Sequence, residues 1–123
     1  VIIIDTSVWI DHLRSADPVL IALLGDGRQR VHPYVIGELA LGSLRDRTTV
    51  LAFLARMPRA QLAEPEEVMH LIADHGLHGL GIGYVDAHLL ASAKLMPGSR
   101  LWTRDRRLAA VSDRLGLTYR APD

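Results

Sequence analysis

The chain contains no cysteine, which excludes disulfide staples and thiolate metal sites and suits a reducing, cytoplasmic setting. It lacks an excess of either charge: fourteen Lys and Arg stand against fourteen Asp and Glu. A protein so balanced has no broad positive face of the kind from which a general nucleic-acid binder draws its affinity. No apolar run approaches the ~18 residues of a membrane span, and no secretory pattern opens the chain, so no membrane partner is expected. Aromatic residues are few, at 5%. There is one lysine, Lys94. The other basic residues are arginines, suited to two-pronged contact with phosphate or carboxylate, although genomic base composition selects the same residue. The chain begins at Val1 rather than methionine, which leaves room for an initiator residue or a short leader ahead of it.

What is present reads as one α/β domain over 1–123. "VIII" is apolar at every position, as expected of a strand covered on both faces. A helix follows from Ser7 to Arg14, and Asp17-Pro18 opens another with a capping carboxylate and a proline in the first turn. "RVHP" reads as a second strand, with helices over 34–44 and 48–56. "AQLA" (60–63) is a third strand, followed by helices from Pro65 towards Gly76 and from Tyr84 to Met96. "RLWT" (100–103), a helix over 105–115 and "LTY" (117–119) complete a parallel sheet of four or five strands. No repeat or linker interrupts the pattern.

Most acidic residues lie on polar faces or in turns, where solvent accommodates them. Four do not. Asp5 ends the apolar first strand, and Asp105 follows "LWT". Glu38 shares a helical face with Val35, Leu39 and Gly42, and Asp86 shares one with Leu89, Leu90 and Ala93. An ionised carboxylate against a core is costly unless paired or bound to metal, and the nearest arginines in sequence, Arg45 and Arg100, are distant. In an open α/β sheet the carboxyl ends of the strands line the ligand crevice, where all four acids can meet. Close carboxylates repel, and a hard divalent cation removes that penalty. Oxygen donors without cysteine point to Mg²⁺ or Mn²⁺ rather than zinc. Taken singly, Asp5 or Asp105 reads equally well as a helix cap.

The segments "IIIDTSVWIDHL", "GELALG", "GYVDAHLLASA" and "LWTRDRRL" resemble the four acidic motifs of PIN-domain ribonucleases, and more narrowly the VapC-type toxins of bacterial toxin–antitoxin pairs. The resemblance spans essentially the whole chain. It implies a three-layer α/β/α fold and a Mg²⁺- or Mn²⁺-dependent endoribonuclease, commonly a homodimer, held inactive by a VapB-type antitoxin. By position it assigns Asp5, Glu38, Asp86 and Asp105 to the acidic, metal-binding and catalytic site. It matches Thr103 to the family's hydroxyl residue and Ser7 to a small polar position, where a hydroxyl can orient Asp5. Asp5 and Asp86 are the first choices for direct ligation. Attack by a metal-activated water predicts 5′-phosphate and 3′-hydroxyl ends. The RNA, whether a transfer RNA, a ribosomal loop or a messenger, is left open.

Arg104, Arg106 and Arg107 surround Asp105 and are candidate RNA contacts; a solvated first helical turn accounts for them equally well. His70, His75 and His78 match no common zinc spacing, and His12 lies within reach of the cleft. His88 is expected to point away from Asp86. Trp102 reads as core, while Trp9 divides between core and an antitoxin groove. Helices 17–25 and 48–57 are expected to pair as a hairpin that receives an amphipathic antitoxin segment. Two other classes compete: a metal-dependent phosphatase or phospho-acceptor domain, for which Lys94 is poorly placed, and a non-enzymatic RNA-binding scaffold.

Overall fold

The structure, a computed structural model, describes residues 1–122. Among them run β1 (Ile2–Ile4), α1 (Thr6–Arg14), α2 (Pro18–Gly25), β2 (Gln29–Arg30), α3 (Pro33–Leu41), α4 (Arg47–Ala55), α5 (Pro65–His75), α6 (Tyr84–Leu95), β3 (Arg100–Trp102) and α7 (Arg106–Arg114). All strand pairs are parallel, in the order β2-β1-β3. Ile2 lies opposite Gln29 and Arg100, and Ile4 opposite Trp102. All three β1 isoleucines are buried. Since successive strand residues face opposite sides, helices must cover both faces, which gives the three-layer α/β/α arrangement.

The sheet has three strands among the described residues, not the four or five expected. Each edge is extended by a single parallel bridge, Val31 with Arg59 and Leu101 with Thr118. The segment 60–63 is not a strand. Ala60 and Ala63 are buried while Gln61 and Leu62 are exposed, a spacing of three that does not fit a strand's alternation. At 117–119 the pairing is real but short: Leu101 donates to Leu117 O and accepts from Tyr119 N.

Helix starts follow local chemistry. Asp17 accepts from Val19 N and Leu20 N at 2.9 and 3.2 Å, and Pro18, Pro33 and Pro65 each open a helix without leaving an N–H stranded. Gly76 (φ +59°) closes α5 in the left-handed region, which glycine enters without a Cβ clash. His12 is used at the α1–α2 joint, where its Nδ1 accepts from Asp17 N at 2.9 Å.

α6 is central, with Ala87 through Ala93 all buried. It is enclosed all round rather than on one stripe, and its small side chains (Ala87, Ala91, Ser92 and Ala93) suit close approach by its neighbours. Both tryptophans belong to the core. Trp9 is 1% exposed, and Trp102 packs on Tyr119 with ring centroids 5.6 Å apart. The expected pairing of α2 with α4 is not the main packing of α4, which lies against α3, itself in contact with α1.

His32 and His88 are both buried. His32 caps α3, its Nδ1 accepting from Tyr34 N at 3.0 Å. Tyr34 and Tyr84 pack edge-on against His88 at 4.8 and 4.6 Å, so the rings join the starts of α3 and α6. His88 points into this cluster. Burial, reinforced by neighbouring His88, pushes the His32 pKa down to about 4 from 6.5. The neutral ring is therefore the folded form. Its contribution to stability is complete above pH 6.5 and is lost as pH falls towards 4, by up to about 3 kcal/mol. Urea unfolding at pH 7 and pH 4.5 should show this loss, and His32→Asn, which can keep the helix cap, should be less stable at pH 7 but flatter with pH.

Candidate active site

β1 is the middle strand, and the chain leaves it towards β2 on one side while β3 flanks the other. The carboxyl end of β1 is therefore the point where strand order reverses and a crevice opens. Asp5 stands there, 5% exposed. Its Oδ2 accepts two hydroxyl protons, from Ser7 Oγ at 2.7 Å and from Thr103 Oγ1 at 2.7 Å. Each hydroxyl in turn accepts a backbone N–H from the turn after β3: Arg104 N to Ser7 Oγ and Asp105 N to Thr103 Oγ1, both at 3.0 Å. Asp5 N completes the join by donating to Trp102 O at 2.9 Å. Two backbone amides, two hydroxyls and one carboxylate oxygen thus form a single polarised network between residues some hundred positions apart. Among the described residues no hydrogen bond reaches Oδ1.

The other acids gather around this point. Asp105 is the N-cap of α7, its Oδ1 accepting from Leu108 N at 2.9 Å. Asp86 is half-buried at the start of α6, its Oδ2 accepting from Gly83 N at 3.0 Å. Glu38 accepts from Thr6 Oγ1 at 2.7 Å, which ties α3 to the residue beside Asp5. Glu38 is exposed, so it is not on the core-facing stripe as its spacing suggests; it lies at the rim. Thr6 was not singled out by the sequence, and its only signal is its place next to Asp5.

Burial raises the Asp86 pKa. The Gly83 N–H opposes the shift, while the charges of Asp5, Asp105 and Glu38 add to it. All four carboxylates therefore share one electrostatic neighbourhood. None of the ion pairs among the described residues involves any of them.

The donors suit a hard divalent cation: they are oxygens only, with Asp5 Oδ1 and Asp86 Oδ1 unengaged by hydrogen bonds among the described residues. Among the described residues, no three Asp, Glu or His side chains stand close enough to grip an ion unaided. A hard ion such as Mg²⁺ takes one or two carboxylates directly and keeps part of its water shell, so it does not require three side chains in contact. Of the histidines weighed as zinc ligands, His70 is paired with Asp74 at 2.9 Å.

Arg104, although adjacent to Asp105 in sequence, turns away from the acids. Its guanidinium bridges Asp11 (2.8 Å) and Asp17 and lies 5.4 Å from the Trp102 ring centroid. At Asp17 burial works to raise the pKa, but the Arg104 hydrogen bond and the amides of Leu20 and Val19 outweigh it, for a net lowering. Arg104 thus clamps the end of β3 to the α1–α2 corner. Arg106 and Arg107 are exposed in the first turn of α7.

Comparison with known proteins agrees with this geometry. The PIN domain family matches residues 2–114. Ribonuclease VapC32 of Mycobacterium tuberculosis, from strain CDC 1551 / Oshkosh and from strain ATCC 25618 / H37Rv, is 49% identical over 116 residues, covering 94% of each chain. No helix among the described residues is long and apolar enough to cross a membrane. With the family covering nearly every element and the acids converging at the end of β1, the chain belongs to the PIN-domain family and is a ribonuclease of the VapC type.

Proposed function

We propose that this protein is a divalent-metal-dependent endoribonuclease, the cytoplasmic toxin of a toxin–antitoxin pair, which hydrolyses RNA to 5′-phosphate and 3′-hydroxyl ends. The observation that carries the proposal is that four carboxylates share one neighbourhood with no ion-paired base on any of them among the described residues. A cation must complete such a site when it binds a phosphodiester.

Asp5 and Asp86 would hold Mg²⁺ or Mn²⁺ directly, with Glu38 and Asp105 engaging it through water. When bound, the ion supplies a water of lowered pKa and positive charge opposite the leaving oxygen. The protein supplies the geometry. Ser7 and Thr103 fix Oδ2 of Asp5 and so hold the carboxylate in one orientation, in which Oδ1 would be available to the ion. Gly83 N–H fixes Asp86 in the same way. Glu38 and Asp105 sit at the exposed side, where water and RNA arrive, and can take up the proton of an attacking water. Cleavage through the ribose 2′-hydroxyl would need a different acid–base pair. His32 and His88 are buried and His12 accepts a backbone amide, which supports water as the nucleophile.

The partner site is read from shape. A groove of about 730 Å³ runs along α1, α3 and α4 beside Glu38, lined by Ile10, Leu13, Leu44 and Val50 with Arg14 and Arg45 among them. An amphipathic antitoxin segment fits it better than the α2–α4 pairing expected from sequence. Dimerisation of the protein itself is part of this reading.

The decisive test incubates the protein with mixed RNA and Mg²⁺, with and without EDTA, and maps the ends. Metal-dependent internal cuts bearing 5′-phosphates are expected, and a 2′-deoxy residue at the cut site should leave cleavage intact. Binding without cutting would favour a scaffold, and 2′,3′-cyclic ends would overturn the mechanism. Asp86→Asn, which removes a half-buried like charge, should raise the melting temperature of the metal-free protein while abolishing cleavage and shrinking the Mg²⁺-induced rise in melting temperature. Thr103→Val and Ser7→Ala each remove one of the two donors to Asp5 and strand a backbone N–H. Activity should fall about 10–100-fold, with weakened metal affinity by calorimetry.

A further inference from the structure

α7 carries more positive charge than the fold uses. Leu80, Arg106, Arg107, Ala110, Val111 and Arg114 line an open groove of about 600 Å³ between this helix and the glycine-rich loop 76–83. Among the described residues neither Arg106 nor Arg107 makes an ion pair, and Arg114 donates to the carbonyl of His75 rather than to an acid. The loop is shaped around one of these side chains. A Cβ at Gly81 (φ +81°) would stand 2.6 Å from Cδ and 2.8 Å from Nη1 of Arg107. Only glycine leaves that guanidinium its place, and its backbone conformation independently favours glycine.

The groove starts where the acidic site ends. Asp105, one residue before Arg106, caps the helix, and Gly83 at the end of the loop bonds Asp86. Arg107 and Arg114 lie seven residues apart, about 10 Å along the helix axis, so the positive charge extends away from the acids as a track rather than a point. An occupant must therefore be an extended polyanion able to run from the carboxylates along the track.

We propose that this groove holds the RNA strand flanking the scissile phosphate, with Arg106 and Arg107 contacting successive backbone phosphates, Arg114 continuing the track, and Arg104 taking no part. This rests on the ribonuclease reading of the acidic site. Phosphate contacts of this kind position the strand without reading its bases. They also give a protein of zero net charge the local positive surface that its substrate requires.

The test uses an Asp86→Asn background, so that bound RNA survives, with Mg²⁺ present. Affinity for a fluorescent single-stranded RNA is measured by anisotropy across a salt series. Each lost phosphate contact should make the slope of log affinity against log salt shallower by about 0.7, and the Arg106→Ala/Arg107→Ala double variant shallower by about 1.4. Arg107→Lys should retain the slope. Arg28→Ala, an exposed arginine at the amino-terminal edge of the sheet, should leave it unchanged. A double variant with the parent's slope overturns the proposal, as does one that keeps RNA affinity but loses binding to a poly-glutamate peptide, which would make the groove a protein site. The two readings fail separately: if otherwise unaltered protein cuts no RNA with metal, the enzyme assignment falls, whereas cutting with an unchanged slope removes only the groove.

Discussion

Like charges held close together, without a counter-charge of their own, set the terms for the rest of this molecule. At 4 Å and an effective dielectric near 20, two carboxylates repel by about 4 kcal/mol, a large share of the 5–15 kcal/mol by which a domain is stable. Among the described residues no basic side chain relieves that repulsion by pairing with any of the four acids. The protein limits it by spacing: the four acids influence one another enough to raise the Asp86 pKa, yet among the described residues no three are drawn together tightly enough to enclose an ion. An ion that keeps part of its water shell can bridge such a gap. One that demands a closed cage of side chains cannot. The same spacing therefore limits self-repulsion among the four carboxylates.

Spacing is useful only if it is held, and here the holding is done by neutral groups. A basic side chain beside Asp5 would cancel the charge that the proposed metal would need, whereas hydroxyls and amides orient a carboxylate without neutralising it. Ser7 and Thr103 pass backbone N–H dipoles from the turn after β3 onto one oxygen of Asp5. Thr6 and the Gly83 amide do comparable service for Glu38 and Asp86. Behind them the neutral His32–His88 cluster links the starts of α3 and α6, the helices that carry those two acids. Their neutrality matters, because a protonated imidazole there would add charge to a core that gives it no partner.

Sequence made the acids legible because each broke a local rule: a charge at the end of an isoleucine strand, or on the buried stripe of a helix. The hydroxyls at 7 and 103 were legible only through the family's motifs, since nothing in "DTS" or "LWT" distinguishes a ligand's support from an ordinary turn. Thr6 escaped notice for that reason. Glu38 was found with its burial wrong, because periodicity places a residue on a face and cannot say where that face meets the rim. The outer strands were overcounted for a related reason. "AQLA" has the composition of a short edge strand, but its alanines are buried three apart. His32 was missed because a histidine before proline reads as a strand end until α6 is brought against it.

The run "TRDRRL" shows what backbone geometry adds to composition. Three arginines within four positions look like one basic patch, and by charge alone each is equally a phosphate contact. Asp105, however, is a helix cap, and a cap separates two backbone regimes. Before it the chain is in the turn leaving β3, and Arg104 is carried towards Asp11, Asp17 and the Trp102 ring, where it is consumed holding α1 and α2 to the sheet. After it the chain is helical, and residues 106, 107, 110, 111 and 114 fall on one face by the 3.6-residue repeat, opposite a loop whose Gly81 accommodates Arg107. One carboxylate thus sorts its neighbours into a structural clamp on one side and, on the other, Arg106 and Arg107, which make no ion pair among the described residues, while itself facing the acids. The net charge of zero conceals this division, because cancellation over the whole chain says nothing about which cations have already found a partner.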